Sequence, residues 1–486
     1  MVSTSTKPTA LFVFGAFRRE GGGLSRVWYQ RLQSMHDSGW DVRVAFFVYR
    51  RYRNKGLEVV LGGAIPKGVT VYRFWDAPVN HVAAFTKFLG DGFKFALRRL
   101  MRKPLRSIVL EQRADGMQHE WKYDRFERLM TEVDRNVETQ QARFLVRYDT
   151  AGKWILREWL GIDEEDVTQV QRATDPEPIS IHDARLEWLN SLNLPDGTVV
   201  MSDSPHSYPV IAQLPNRFGK VFVMHLNHLA RGEGPLGNLT PRMNVSLELY
   251  HDAPDAVTVA TPEQAEDLKI RYGQDFPAYV IRPVVRKVPT PPNIVRDPFR
   301  VVALGRIVDV KRLHLAFQAI GKVREVVPQA YLEVWGSGND RERLETVLDE
   351  LNLRDCVTFK GYTSTPEQVF RGAGLSIMTS RRESFGLAVI ESILQGCPVV
   401  SFDVKYGPRR VIEDGVNGFI VPDNDVAGMA QRIIEIMQNP VLHERMIVEA
   451  EKFEAQVDHT HFQRAWNELG HDVRAKALKR AQHNAG

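Results

Sequence analysis

Short apolar runs alternate with segments of helical length through the C-terminal part of this 486-residue chain. The apolar runs lie at residues 300–304, 331–335, 357–360, 375–379, 398–403 and 419–421. Helical patterns lie between them, for example from about residue 313 and at 387–394. This alternation is typical of βαβ units, in which helices join parallel strands and cover both faces of the sheet. We therefore predict a doubly wound α/β domain over residues 298–455.

The same alternation opens the chain but is then interrupted. Strand-like runs of this part lie at residues 11–14, 42–47, 198–201, 221–224 and 256–260, with a helical pattern at 24–35. Between residues 79 and 193 the rhythm is replaced by short runs in which apolar and polar residues alternate. We therefore predict a second Rossmann-like domain, split over residues 1–78 and 194–285, and a β-rich insertion at 79–193.

Turn and breaker residues mark the boundaries. The segment Asp149-Thr150-Ala151-Gly152 lies between runs at 143–148 and 153–159, which predicts an antiparallel hairpin. Four prolines place an interdomain hinge before the second domain: Pro283, Pro289, Pro291 and Pro292. Residues 456–486 are expected to form a C-terminal helix that packs back on the N-terminal domain.

Composition limits the classes of function. No apolar stretch approaches the roughly 18 residues that span a bilayer, and residues 7–14 are interpreted as a first buried strand rather than a signal peptide. The net charge of 64 − 60 = +4 is too small to predict nucleic-acid binding. Cys356 and Cys397 are too few for a disulfide framework. We expect a cytoplasmic protein, either free or at the inner face of the membrane.

Two carboxylates flank a predicted strand-to-helix junction. Glu383 falls in the loop after a strand, and Glu391 falls about two turns into the next helix. Between them, the backbone N–H groups of Ser384, Phe385 and Gly386 begin the helix, where a phosphate gains hydrogen bonds and a favourable dipole. Taken alone, such a pair has a simpler interpretation, in which Glu383 caps the helix and Glu391 is a solvated helical residue.

Two cations follow the first strand of the C-terminal domain. Arg306 and Lys311 are predicted at the carboxyl end of a parallel strand, where doubly wound sheets bind ligands. A diphosphate leaving group would be stabilised by both of them, although surface charge is the simpler interpretation of either residue alone. Gly336 and Gly338 end another strand before a helix, and by position they add to the same predicted site.

Together these motifs resemble the retaining GT-B glycosyltransferases of family four. The resemblance is carried by Gly305-Arg306 with Lys311, Gly336-Ser337-Gly338, Glu383 to Glu391, and Gly415-Val416-Asn417-Gly418-Phe419. The string Asp403-Val404-Lys405-Tyr406-Gly407-Pro408 is similar to that of the teichoic-acid α-glycosyltransferases and their accessory-secretion relatives. The resemblance implies a GT-B fold, with the cleft between two Rossmann-like domains, and relatives of this kind also carry an insertion in the N-terminal domain.

The resemblance also implies roles for individual residues. Arg306 and Lys311 would neutralise the departing nucleotide diphosphate, Glu383 would contact the donor sugar, and Glu391 would hold the ribose hydroxyls. The base would be held near Tyr362. The remaining donor-binding residues implied in this way are Gly22, Gly23, Gly336, Gly338, Ser384, Phe385, Gly386 and Leu387.

A histidine beside the donor sugar is also implied, and His228 is favoured over His225. For His225 a purely structural role remains open. The two histidines lie three residues apart, but no third ligand type lies near them, so we expect no metal ion and no other cofactor.

Basic residues suggest how an acceptor would bind. Where many relatives carry an acidic residue, this chain has Arg409-Arg410, which would favour a phosphate-bearing acceptor. In the insertion, Arg98 and Arg102 belong to a predicted amphipathic basic helix that could meet a polyphosphate acceptor or an anionic membrane surface. Surface charge is the alternative at both places. The strands of the insertion are also expected to support homo-oligomerisation.

The resulting prediction is an α-retaining transferase for glucose or N-acetylglucosamine. The donor would be a UDP-sugar, and the acceptor a hydroxyl of a wall teichoic-acid-type polyol-phosphate polymer. Serine or threonine of a protein is the alternative acceptor, and a non-catalytic GT-B partner subunit is the alternative of a different class.

Overall fold

The computed structural model contains two parallel sheets and one antiparallel sheet. The residues that it describes are 7–14, 23–47, 66, 69–74, 107–112, 116–123, 129–138, 142–148, 151, 153–160, 167–230, 234–285, 287–289, 293–453 and 459–483. The predicted residues Gly22, Arg98 and Arg102, and the basic helix around the last two, lie outside this set.

The N-terminal parallel sheet is built from two separate stretches of chain. The first contains β1 (Thr9–Phe14), α1 (Gly23–Asp37), β2 (Asp41–Phe46) and β3 (Thr70–Arg73). The insertion follows, with β4 (Ser107–Gln112), β5 (Met117–Tyr123), β6 (Leu129–Asn136), β7 (Ala142–Tyr148), β8 (Trp154–Leu160), β9 (Val167–Arg172) and β10 (Ile179–Ser180). The second stretch contains α2 (Ile181–Asn190), β11 (Val199–Ser202), α3 (Tyr208–Ala212), β12 (Gly219–Val223), α4 (Pro241–Met243), β13 (Ala256–Val259), α5 (Pro262–Tyr272) and β14 (Ala278–Val280).

The C-terminal domain continues without interruption. Its elements are β15 (Asp297–Leu304), α6 (Leu313–Arg324), β16 (Tyr331–Trp335), α7 (Arg341–Glu350), β17 (Val357–Gly361), α8 (Pro366–Gly372), β18 (Ala373–Met378), α9 (Leu387–Leu394), β19 (Val399–Phe402), β20 (Gly418–Val421), α10 (Val426–Gln438) and α11 (Pro440–Lys452). The last helix of the chain is α12 (His459–His483).

Each parallel sheet has one point at which the strand order reverses. The N-terminal order is β14-β13-β12-β11-β1-β2-β3, and the C-terminal order is β17-β16-β15-β18-β19-β20. The chain leaves β1 toward β2 on one side and returns to β11 on the other, and the same happens between β15 and β18. A crevice opens at the carboxyl end of such a switch point, and ligands of doubly wound sheets bind there.

Burial explains why these strands are apolar. All six residues of β1 are buried, as are all four of β11, because helices cover both faces of a parallel sheet. The insertion has a different pattern, with strands paired antiparallel in the order β10-β9-β8-β7-β6-β5-β4. One face of this sheet joins Phe47 and Trp188 in a shared core. The hairpin predicted around residues 149–152 is present as β7 and β8.

Helix α12 returns from the C-terminal domain to the N-terminal sheet. Trp40 Nε1 donates to Asn467 Oδ1 at 2.8 Å, and Arg480 pairs with Asp255 at 2.6 Å. Close packing requires a glycine here, because a Cβ at Gly470 would lie 2.7 Å from the Trp40 ring. The chain therefore crosses between the domains twice. No helix in the described part of the chain is both long and apolar enough to cross a membrane.

Candidate active site

The loops at the carboxyl ends of β15 and β16 are packed backbone against backbone. Gly305 N–H donates to the Trp335 carbonyl at 3.0 Å, and Gly336 N–H donates to the Gly361 carbonyl at 2.8 Å. A Cβ at Gly336 would overlap the carbonyl oxygen of Gly305, and φ at Gly336 is +138°. Close packing and the positive φ therefore require a glycine at residue 336. The same packing brings the loops of Arg306 and Tyr362 to one edge of the sheet.

Lys311 and Glu383 form an ion pair at the C-terminal switch point. Lys311 ends a 3-10 turn (Asp309–Lys311), and its Nζ lies 2.6 Å from Glu383 Oε1. The two side chains retain 25% and 15% exposure, so both can meet a ligand. Arg306 is exposed at the same edge. The structure therefore joins three of the predicted residues in one place, with two positive charges and one negative charge.

Arg312, the neighbour of Lys311, was missed by sequence reasoning. Its guanidinium is buried and donates to the carbonyl oxygens of Thr379 and Ser380, each at 2.9 Å. It also donates to Asn424 Oδ1 at 2.7 Å and pairs with Asp423. Since these carbonyls lie just before the Glu383 loop, Arg312 fixes the position of that loop. No local pattern distinguishes its side chain from that of Lys311, and only the fold shows which of the two is buried.

The segment from Ser384 to Glu391 has the predicted strand-to-helix geometry. Gly386 caps α9 with φ of +82°, a left-handed conformation that glycine adopts without strain. Ser384 and Phe385 are buried before the cap, Leu387 is the first helical residue, and Glu391 is buried in the second turn. The beginning of α9 therefore lies next to the Lys311–Glu383 pair, where its N–H groups favour an anion.

The other predicted residues are placed as follows. Tyr362 is 48% exposed directly after β17, and Gly23 is the first residue of α1. Arg409 Nε donates to Asp403 at 2.6 Å, and Arg410 Nε donates to Glu263 at 3.0 Å. These two of the four arginines proposed for the acceptor therefore already have carboxylate partners.

The two candidate histidines differ sharply in environment. His225 Nε2 lies 2.6 Å from Asp203 Oδ1. His228 is fully buried, and neither of its ring nitrogens has a hydrogen-bond partner among the described residues. Its ring stacks on Tyr406 of the C-terminal domain with centroids 6.0 Å apart. Burial lowers the pKa of His228 to about 4, so its imidazole is neutral at physiological pH.

Helix α5 holds the two domains together beside this histidine. Asp267 accepts hydrogen bonds from the Tyr406 hydroxyl at 2.7 Å and from Lys405 Nζ at 2.8 Å. Asn227 Nδ2 donates to the Lys405 carbonyl at 3.2 Å. Burial and the Asp267 carboxylate raise the pKa of Tyr406, which therefore remains a hydrogen-bond donor. The sequence string around Tyr406 thus acts as an interdomain contact.

The described residues were also compared with the ligand sets that hold metal ions in proteins. Within the described ranges, no group of three or more histidine, cysteine, aspartate or glutamate side chains is placed to hold a metal ion.

Comparison with known proteins agrees with the geometry. Residues 286–453 match the family described as "Glycosyl transferases group 1". Residues Arg306, Lys311, Glu383 and Glu391 all lie within this glycosyltransferase match.

Two similar proteins are polyol-phosphate glycosyltransferases. One is the poly(glycerol-phosphate) alpha-glucosyltransferase of Bacillus subtilis, with 31% identity over 44% of this chain and 32% of that protein. The other is the poly(ribitol-phosphate) alpha-N-acetylglucosaminyltransferase of Staphylococcus aureus, with 26% identity over 50% of this chain and 49% of that protein. The aligned segments thus span about a third of one relative and about half of the other.

Solved structures extend the similarity to the whole fold. The crystal structure of TarM superposes with a TM-score of 0.76 at 17% identity, over 96% of this chain and 100% of that one. The pneumococcal O-GlcNAc transferase GtfA gives 0.71 at 15% identity, over 96% and 99%. The predicted GT-B architecture with an antiparallel insertion is confirmed.

Proposed function

We propose that this protein transfers glucose or N-acetylglucosamine from a UDP-sugar to a hydroxyl of a polyol-phosphate polymer, with retention of the α configuration. The Lys311–Glu383 pair beside the start of α9 carries this proposal. The relatives support the substrate class, since two of them are named for transfer to poly(glycerol-phosphate) and poly(ribitol-phosphate). A further TarM structure is described as a complex with UDP and alpha-GlcNAc-glycerol.

The charges at the C-terminal switch point suit a departing diphosphate. Lys311 has three N–H donors, and the bond to Glu383 occupies one of them. The remaining donors, Arg306 and the first N–H groups of α9 can meet the phosphate oxygens. Charge-assisted hydrogen bonds of this kind contribute about 1.5 to 3 kcal/mol each. We propose that they supply the positive charge without a metal ion or other cofactor.

The reaction breaks one bond and forms one bond at the anomeric carbon. The bond from the sugar C1 to the phosphate oxygen breaks, and UDP leaves with the bonding electrons. The acceptor oxygen bonds to C1 on the same face of the sugar, and its proton passes to an oxygen of the leaving phosphate. Glu383 would orient the sugar, Glu391 the ribose, and the neutral His228 a sugar hydroxyl beside C1.

A protein acceptor is the second candidate. A similar protein is the UDP-N-acetylglucosamine–peptide N-acetylglucosaminyltransferase GtfA subunit of Streptococcus gordonii, with 27% identity over 38% of this chain and 38% of that protein. Because the donor half of the reaction is shared, only the acceptor distinguishes the two.

Location and assembly are further parts of the proposal. Cys356 and Cys397 are free and buried, which agrees with a reducing compartment, and we propose a cytoplasmic enzyme that works at the inner face of the membrane. We propose homo-oligomerisation through the insertion, because β4 and β10 end the antiparallel sheet within the described ranges. A monomeric mass in solution would contradict this assembly.

UDP release tests the transferase proposal directly. UDP-glucose and UDP-N-acetylglucosamine are each supplied with purified poly(glycerol-phosphate), with poly(ribitol-phosphate), with a serine-rich peptide, or alone. We expect polymer-dependent release with one donor, and an α linkage in the product by NMR. Release that requires the peptide would identify the second candidate. A folded protein that releases no UDP with any acceptor would contradict both.

A further inference from the structure

Three charged or titratable side chains meet at the N-terminal switch point and are not used by the proposed donor site. Asp203 directly follows β11, His225 follows β12 by two residues, and Arg31 lies in the third turn of α1. In sequence, Arg31 and Asp203 are 172 residues apart. The sheet thus assembles a cluster at the edge where ligands of doubly wound sheets bind.

Asp203 is the centre of this cluster. Its Oδ1 lies 2.6 Å from His225 Nε2, its Oδ2 pairs with Arg31 Nη2, and the side chain is only 6% exposed. Burial by itself would raise the pKa of this carboxyl group, but Arg31 and His225 outweigh burial and lower it. Asp203 is therefore a carboxylate, and a carboxylate can only accept hydrogen bonds.

The carboxylate determines the tautomer of His225. Because Asp203 Oδ1 must accept, His225 Nε2 carries the hydrogen and donates it. In the neutral ring, Nδ1 is then a hydrogen-bond acceptor, and it has no partner among the described residues. The side chain keeps 13% exposure. His225 therefore presents a lone pair that a ligand O–H group could use.

Arg31 holds the pair rigidly. Its guanidinium is fully buried, 5.3 Å from the Phe12 ring centroid and 4.8 Å from the Trp466 ring centroid. Its Nε and Nη1 have no hydrogen-bond partner within the described ranges. Burying a cation in this way is costly unless a charge partner compensates. Among the described residues, the ion pair with Asp203 is the compensation for the buried charge of Arg31. This pair fixes Asp203 and, through it, the ring of His225.

The cluster faces the same cleft as the donor site. Two residues after His225, Asn227 donates to the Lys405 carbonyl of the C-terminal domain. One residue further, His228 stacks on Tyr406. The loop that carries His225 is thus the loop through which the N-terminal domain meets the C-terminal domain.

We propose that His225 is an acceptor-binding residue, whose Nδ1 accepts a hydrogen bond from a polyol hydroxyl of the incoming polymer. Asp203 and Arg31 are positioning residues that hold His225 in the required tautomer and orientation. This inference rests on the proposed transferase function. It adds that the acceptor binds on the N-terminal side of the cleft, at His225. Phosphate oxygens, which are acceptors themselves, are not recognised by this nitrogen.

Steady-state kinetics of His225→Ala test the inference, with the donor and a glycerol-phosphate oligomer varied separately. We expect the KM for the oligomer to rise about tenfold, as for loss of one hydrogen bond, while the KM for the UDP-sugar changes less than about twofold. His225→Gln can donate to Asp203 and still accept, and it should recover part of the loss. Asp203→Asn keeps an oxygen for His225 but loses the charge. Its KM for the oligomer should lie between those of wild type and His225→Ala. His206→Ala, an exposed histidine near Asp203, is the matched control.

Two independent readouts separate the possible failures. Circular dichroism and UDP affinity show whether each variant is folded, and calorimetry with the oligomer in the presence of UDP measures acceptor binding without turnover. Unchanged oligomer KM in an active His225→Ala variant would overturn the inference and leave the transferase proposal standing. A wild-type protein that binds the oligomer through His225 but releases no UDP would support the inference and contradict the transferase. Absence of oligomer binding by the wild type would overturn the inference.

Discussion

Each parallel sheet is held at its switch point by a buried arginine, but the two arginines are satisfied to different degrees. In the C-terminal domain, Arg312 bonds two backbone carbonyls, an amide oxygen and a carboxylate. In the N-terminal domain, Arg31 bonds only Asp203, and two of its nitrogens lack partners among the described residues. Arg312 caps the helix α6 that follows β15, and Arg31 lies in the third turn of α1, the helix that follows β1. The buried guanidinium therefore has more hydrogen-bond partners in the C-terminal domain than in the N-terminal domain.

The difference extends to the surrounding residues. At the C-terminal switch point, Lys311 and Glu383 neutralise each other within the domain. At the N-terminal one, both nitrogens of the buried His228 lack partners among the described residues, and Nδ1 of the partly exposed His225 has none there either. Unsatisfied buried polar groups are costly, so the N-terminal side keeps its binding capacity at the expense of stability. This is the side to which we assign the acceptor.

Replacing each arginine by methionine gives the largest expected difference. Arg312→Met leaves two buried carbonyls without donors and should lower the free energy of unfolding by about 4 kcal/mol. Arg31→Met leaves the buried Asp203 with His225 as its hydrogen-bond partner, and it also removes two unsatisfied donors, so we expect a smaller loss of about 2 kcal/mol. Urea titration followed by circular dichroism measures both values. Equal losses would show that the two arginines do not differ as proposed.

The pH dependence of stability tests the unpaired state of His228. Its folded pKa of about 4 lies below the ordinary 6.5, so the unfolded chain binds this proton first. This contribution is intact above pH 6.5 and is lost as the pH falls toward 4, by about 3 kcal/mol in total. His228→Phe should show a shallower fall over this window, measured by urea titration at several pH values. His206→Ala is the control, and parallel curves for wild type and His228→Phe would contradict the shift.

Sequence patterns located the residues of the C-terminal switch point better than those of the N-terminal one, and the reason is physical. Glu383, Gly386 and Glu391 lie on one strand-to-helix junction, so their spacing along the chain already determines their spacing in space. The alternation of strands and helices likewise determined the sheet class, because burial on both faces produces continuous apolar runs. The roles of individual residues in this site stay predictions.

Contacts between distant segments could not be predicted in the same way. The partnership of Arg31 with Asp203 depends on β11 returning beside β1 after the whole insertion. Similarly, Asp267 gives no local sign that it will meet Tyr406, 139 residues later. The basic helix expected around Arg98 and Arg102 lies outside the described residues and stays a prediction.

Removing the charge of Lys311 tests the paired side of the comparison. Lys311→Ala should lower kcat about a hundredfold, because one preorganised donor to the leaving phosphate is lost. The variant should remain folded, since the lysine is partly exposed and Glu383 can reach solvent. Lys452→Ala, which removes an exposed lysine paired with Glu449 on α11, is the control. A kcat within about twofold of wild type would exclude Lys311 from leaving-group stabilisation.

Removal of the Tyr406 hydroxyl has the smallest expected effect on stability. It also separates an effect on stability from an effect on activity. Tyr406→Phe removes one of the two hydrogen bonds that Asp267 accepts across the domain boundary. Tyr331→Phe removes an equivalent bond to Asp297 at 2.9 Å within the C-terminal domain. Each change should cost about 1 kcal/mol of stability.

Only Tyr406→Phe should also lower kcat/KM, by about fivefold, because of the two bonds compared only this one crosses the domain boundary. If Tyr331→Phe lowers kcat/KM as much, the effect reflects general destabilisation. If neither does, the Tyr406–Asp267 bond does not set the relative position of the domains during turnover. The comparison of one bond within a domain and one between domains therefore measures how far activity depends on domain closure.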